Sequence, residues 1–67
     1  MKAILTIPNL NTNEDVVNIK EVIAKNEGVI ACEINLSKKE VNIVYDDKTI
    51  DLDIVMASIE EIGYSII

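Results

Sequence analysis

The sequence predicts an α+β sandwich of order βαββαβ, a four-stranded antiparallel sheet with two helices on one face. Three observations carry that prediction. Apolar residues alternate with period two in some stretches, recur at helical spacing in two others, and each helical stretch is followed closely by one of the only two glycines.

Ala3, Leu5 and Ile7 recur every second residue and stop at Pro8, which has no N–H for a ladder, so residues 2–7 read as the first strand. Val16, Ile19, Val22 and Ile23 then fall on one helical face, with Asn18, Lys20, Glu21 and Lys25 on the other. Gly28 ends that helix by supplying a left-handed conformation. Cys32, Ile34 and Leu36 alternate with Glu33 and Asn35, turn at Ser37-Lys38-Lys39, and give way to Val41, Ile43 and Tyr45 alternating with Asn42 and Val44. That pattern is a hairpin. Asp46-Asp47-Lys48 leads out of the sheet, and Asp51 is placed to cap a second helix with apolar residues Leu52, Val55, Met56, Ile59 and Ile62. Asp53 in its first turn suits the helix dipole. Gly63 closes that helix, and Tyr64 to Ile67 form a short last strand. Two βαβ-like halves in this order make a ferredoxin-like sandwich with right-handed crossovers, strands one and three central, and Ile4 and Val44 on the uncovered sheet face as a small apolar patch.

With 67 residues the chain is read as one domain, residues 1–67, burying only about 60% of the surface its unfolded form exposes. Hydrophobic residues make up 49% of it, yet Phe and Trp are absent and Tyr occurs only at Tyr45 and Tyr64, so the core is aliphatic and β-branched. Twelve acidic side chains against six basic ones, all lysine, give a net charge of −6. That charge repels phosphate backbones and anionic lipid heads, and nucleic acid is not expected as a partner. Without arginine, histidine or a glycine-rich phosphate loop, no enzyme reading is supported, and none is expected. Single-stranded RNA readers of this topology need aromatics on the central strands, which are missing here. A lone Cys32 forms no internal disulfide, the N-terminus lacks the pattern of a secretory signal, and no apolar run approaches the roughly 20 residues that cross a bilayer. A cytoplasmic location without membrane insertion is expected.

The residues taken together resemble the heavy-metal-associated domain of copper chaperones and of the N-termini of soft-metal P-type ATPases. Gly28-Val29, the hairpin Cys32 to Tyr45, Asp46, and Ile59-Glu60-Glu61-Ile62-Gly63-Tyr64 all match in kind and spacing, and the likeness covers essentially the whole chain. Counting back from Ile19, the loop Asn9-Leu10-Asn11-Thr12-Asn13-Glu14-Asp15 falls where that family has Gly-Met-Thr-Cys-x-x-Cys. The resemblance implies a metal carrier or acceptor in metal transport or homeostasis, holding Cu(I) or Zn(II) between two thiolates beside a helix N-terminus and passing it to a similar partner. Here the two ligand positions are Thr12 and Asp15, Leu10 stands for the methionine and Asn9 for the glycine. Neither ligand position supplies sulfur, so binding of a soft ion is expected to be weak or lost.

Two readings of that loop remain. In one, Asn11 or Thr12 caps the first helix and Glu14 or Asp15 faces its dipole. In the other, Asn11, Asn13, Glu14 and Asp15 offer oxygen to a harder cation, with Glu14 and Asp15 the weak candidate ligands, although the run lacks the glycine and distal glutamate of an EF-hand loop. No cofactor is expected beyond such a weakly held metal ion. By resemblance Tyr64 lies near the loop and shields it, or it is a half-buried aromatic after Gly63. Cys32 reads as a buried, inert thiol. Asn26 replaces an apolar residue of the family, so the end of the first helix is expected to pack loosely. Lys20, Glu21, Lys25, Glu60 and Glu61 are a solvated face, and the acid excess favours a lysine-rich docking surface on another protein. The alternatives are a domain serving protein association without metal, or a regulatory amino-acid-binding domain of the ACT type, which shares the element order and pairs to build its site. The oligomeric state is not legible.

Overall fold

The computed structural model describes all 67 residues and orders them as β1 (Lys2–Thr6), α1 (Asn13–Ala24), β2 (Val29–Asn35), β3 (Glu40–Tyr45) and α2 (Leu52–Glu61). The sheet is antiparallel with order β1-β3-β2, so the hairpin's second strand is central. Its inward residues pair Ala3 with Ile43, Leu5 with Val41, Cys32 with Ile43 and Ile34 with Val41. Those side chains meet Ile19 and Ile23 of α1 and Val55 and Ile59 of α2 in one cluster, which places both helices on the same face. The eleven buried side chains are all hydrophobic.

The sheet has three strands, where alternation predicts four. Residues 64–67 make one backbone contact with β1, Ile67 N–H to the Thr6 carbonyl at 3.0 Å, and a ladder needs such bonds to repeat. Nearer the helix, Asn9 takes the place of a strand partner: its Nδ2 donates to the Gly63 carbonyl at 3.1 Å and its Oδ1 accepts from Ser65 N–H at 3.0 Å. β1 is therefore an edge of the hydrogen-bonded sheet rather than a central strand, and it ends at Thr6, one residue short of the predicted 2–7.

Other expectations are corrected by packing. The first helix ends at Ala24 with Lys25 as its cap, so Gly28 does not terminate it directly. Gly28 instead turns the chain into β2 at φ +99°, and a Cβ there would lie 2.9 Å from the Ile50 Cγ2. Asn26 is not a loose spot: its Nδ2 donates to the Val22 carbonyl at 3.0 Å, and its Oδ1 accepts from the Ser58 hydroxyl of α2 at 3.3 Å. Asp51 holds the cap position of α2 without a side-chain bond; its carbonyl accepts Ile54 N–H at 3.1 Å. Gly63 follows the cap of α2 at φ +100° and donates to the Glu60 carbonyl, as expected of a helix-ending glycine. Ile62, expected on the apolar face of the second helix, is its C-cap and is 44% exposed. Cys32 is half-buried, since β2 is an edge strand and only one side of it meets the core.

On the uncovered face, Ile4 lies opposite Asn42 and Val44 opposite Lys2 and Ala31, so the two apolar residues are diagonal neighbours divided by polar ones. Ile4 is 64% exposed and Val44 half-buried. A β-bulge at Ile30 interrupts the outer edge of β2.

Candidate functional site: the β1–α1 loop

Leu10 anchors the loop. Its side chain is fully buried in the core, although it lies outside any element and outside the alternating pattern that marks strand residues. Its N–H donates to the Ile7 carbonyl at 3.1 Å, so the chain turns tightly after Pro8 and presents Asn11 to Glu14 at the surface.

Thr12 is the N-cap of α1, with extended backbone angles, and its Oγ1 accepts Asp15 N–H at 3.1 Å. Asp15 reciprocates: its Oδ2 accepts both Thr12 N–H at 3.0 Å and Asn11 N–H at 2.9 Å, completing a capping box. Its other oxygen accepts the Tyr64 hydroxyl proton. These donors hold the Asp15 carboxyl down at about 2, with the Tyr64 hydrogen bond the largest cause and the Asn11 N–H next. The same bond to Asp15, followed by burial, raises the Tyr64 hydroxyl above its usual range.

Of the residues singled out from the sequence, Asn11, Thr12, Asp15 and Tyr64 are brought together. Asn13 and Glu14 begin the helix as exposed residues with no side-chain hydrogen bond. Two residues to which the sequence assigns no role at the site, Asn9 of the loop and Lys39 of the hairpin turn, complete it. Asn9 ties the Tyr64 segment to the loop, and Lys39, from the hairpin turn, donates its ammonium to the Leu10 carbonyl at 2.9 Å and to Asn11 Oδ1. Both contacts span at least 28 residues of chain, a separation at which periodicity carries no information.

The donor set does not suit a thiophilic ion. The positions that the resemblance assigns to a thiolate pair hold a hydroxyl and a carboxylate, and a soft monovalent ion prefers sulfur. Both Asp15 oxygens already accept hydrogen bonds, and no three His, Cys, Asp or Glu side chains come together in a group able to hold a metal ion.

Fold and loop together define a small α+β domain whose β1–α1 loop, β2–β3 turn and final segment converge at one site. Residues 4–65 match the family description "Heavy-metal-associated domain". The chain belongs to that family. Among solved structures it is similar to one described as a CopZ metallochaperone, with TM-score 0.95 and 21% identity over 100% of both chains. It is also similar to oxidized MerP from Ralstonia metallidurans CH34, with TM-score 0.91 and 19% identity over 98% of this chain and 94% of that one. A copper binding domain from HMA7, a P-type ATPase, gives TM-score 0.89 and 15% identity over 98% and 92%. No curated protein sequence matches significantly. The family assignment takes the place of the ACT-type alternative.

Proposed function

We propose that this chain is a non-enzymatic binding module of metal transport or homeostasis that acts in the cytosol by docking to another protein, with Cu(I) and Zn(II) binding weak or lost. One observation carries the reading. The two family ligand positions, Thr12 and Asp15, are bonded to each other and to the helix start as a capping box, and Tyr64 closes the remaining carboxylate oxygen. Both carboxylate oxygens already accept protein donors, so an ion ligated there competes with those hydrogen bonds. The family frame around the loop is retained, which supports a docking role. The net charge of −6 favours a lysine-rich surface on the partner.

A Cu(I) competition titration against a chromophoric chelator tests this, with Zn(II) and Ca(II) additions followed by NMR. The chelator is expected to keep its Cu(I), and the amide signals of Thr12 to Asp15 to stay in place with the other two ions. A tight one-to-one Cu(I) complex would sink the reading.

A further inference from the structure

We propose that Lys39 is the resident cation of the β1–α1 loop, a positioning residue whose ammonium holds residues 10–12 in shape so that the loop is built without a metal ion. The inference goes beyond the docking reading and stands without it.

Lys39 is the one non-glycine residue with positive φ, +56°. Glycine or asparagine is the usual occupant of that conformation, because a longer side chain carries a Cβ that crowds the neighbouring carbonyl. A residue held there against its backbone preference persists where its surroundings over-determine it. Beyond its own turn, where its N–H donates to the Leu36 carbonyl at 3.3 Å, Lys39 is held at three points. Its carbonyl accepts Ile7 N–H at 2.9 Å, and its ammonium donates to the Leu10 carbonyl and to Asn11 Oδ1. The Leu10 contact answers a specific need, since burial of the Leu10 side chain pulls its backbone toward the core and that carbonyl requires a donor.

The other side of the same short stretch is gripped by a negative charge. Asp15 accepts the Asn11 and Thr12 N–H groups, so Asn11 is bonded to the ammonium through its side chain and to the carboxylate through its backbone. The loop is thus strung between two opposite charges that meet through Asn11. Hydrogen bonds with an ionised partner are roughly twice as strong as neutral ones, and two such ends fix the intervening backbone.

Amide hydrogen exchange followed by NMR on the chelator-treated chain tests the assignment with three variants. Lys39→Met keeps the aliphatic stem and removes the charge, Lys39→Gly relieves the positive φ, and Lys39→Arg keeps a cation. Lys39→Met is expected to speed exchange at Leu10, Asn11 and Thr12 about tenfold relative to Ile23 and Ile43, the size of effect that follows from losing a charge-assisted bond. Lys39→Gly should loosen the loop likewise, although its turn forms more easily, while Lys39→Arg retains most of the protection. In the unsubstituted chain, loop exchange should be the same with chelator as with added Zn(II). Unchanged loop protection in Lys39→Met, or acceleration shared equally by Ile23 and Ile43, overturns the assignment. So does loop protection that appears only when metal is added.

Discussion

Asp15 is the residue on which most of the site's chemistry converges. By resemblance it stands at a family ligand position, and it accepts hydrogen bonds from Asn11, Thr12 and Tyr64. Its carboxyl falls from 3.8 to about 2 in the folded chain, which fixes the sign of a pH effect. A group whose folded value is depressed contributes stability above its unfolded value and loses it as pH falls through the folded one. Unfolding followed by circular dichroism should therefore show the Asp15 contribution intact above about pH 4 and fading toward pH 2, and Asp15→Asn should flatten that window. Tyr64→Phe should move the Asp15 carboxyl back toward its ordinary value in an NMR titration, because the largest cause of the shift is gone. An Asp15 titration unaffected by Tyr64→Phe would show that the hydroxyl contact is absent in solution. The capping role of Thr12 is the part of this site closest to legible in sequence, since Asn, Ser, Thr and Asp are what a helix start selects. The Tyr64 contact joins residues 49 positions apart, beyond any local pattern, and only the family resemblance, which puts Tyr64 near the loop, points to it.

At the scale of elements, the two glycines look alike in sequence and differ in structure. Both have positive φ, +99° at Gly28 and +100° at Gly63, but a Cβ at Gly63 meets nothing within 4 Å. A Cβ at Gly28 runs into Ile50, a buried and β-branched side chain with little room to move, and into Thr49 Cγ2 at 3.0 Å. Gly63→Ala is expected to cost about 1 kcal/mol, from the backbone alone. Gly28→Ala should cost about 2 kcal/mol or more, because overpacking adds to the same backbone strain. Thermal unfolding of the two variants measures the difference, and equal losses would mean that Ile50 yields freely. Helix and hairpin positions follow from periodicity because each is set by neighbours three or four, or two, residues away. The last four residues alternate well enough to read as a strand, but a ladder requires a partner's N–H and C=O groups in register, and Asn9 supplies a side chain in their stead.

For the molecule as a whole, the frame of the family is present while Thr12 and Asp15 stand where the resemblance implies thiolates. Residues 12 and 15 stand at the N-cap and third position of α1, where a helix N-terminus favours thiolate. Replacing both Thr12 and Asp15 with cysteine should therefore create a Cu(I) site that competes with a chromophoric chelator. The same double variant should melt lower than the parent chain without metal, since it loses the capping box. A double variant with no gain in Cu(I) affinity would show that the loop held by Leu10, Asn11 and Lys39 has a shape unlike that of a metal-loading relative.

By itself the sequence determined the two helices, the hairpin, the aliphatic core and the family frame, because local periodicity and turn residues act over a few positions. It also determined that the loop lacks sulfur. Only the tertiary structure decided what fills that place: Leu10 turned into the core, Lys39 reached back from the hairpin, Tyr64 closed over Asp15, and Asn9 held the chain end that sequence alternation reads as a fourth strand. Each of those contacts joins parts of the chain that become neighbours only when the helices and sheet pack around one core, and no local pattern encodes such a meeting.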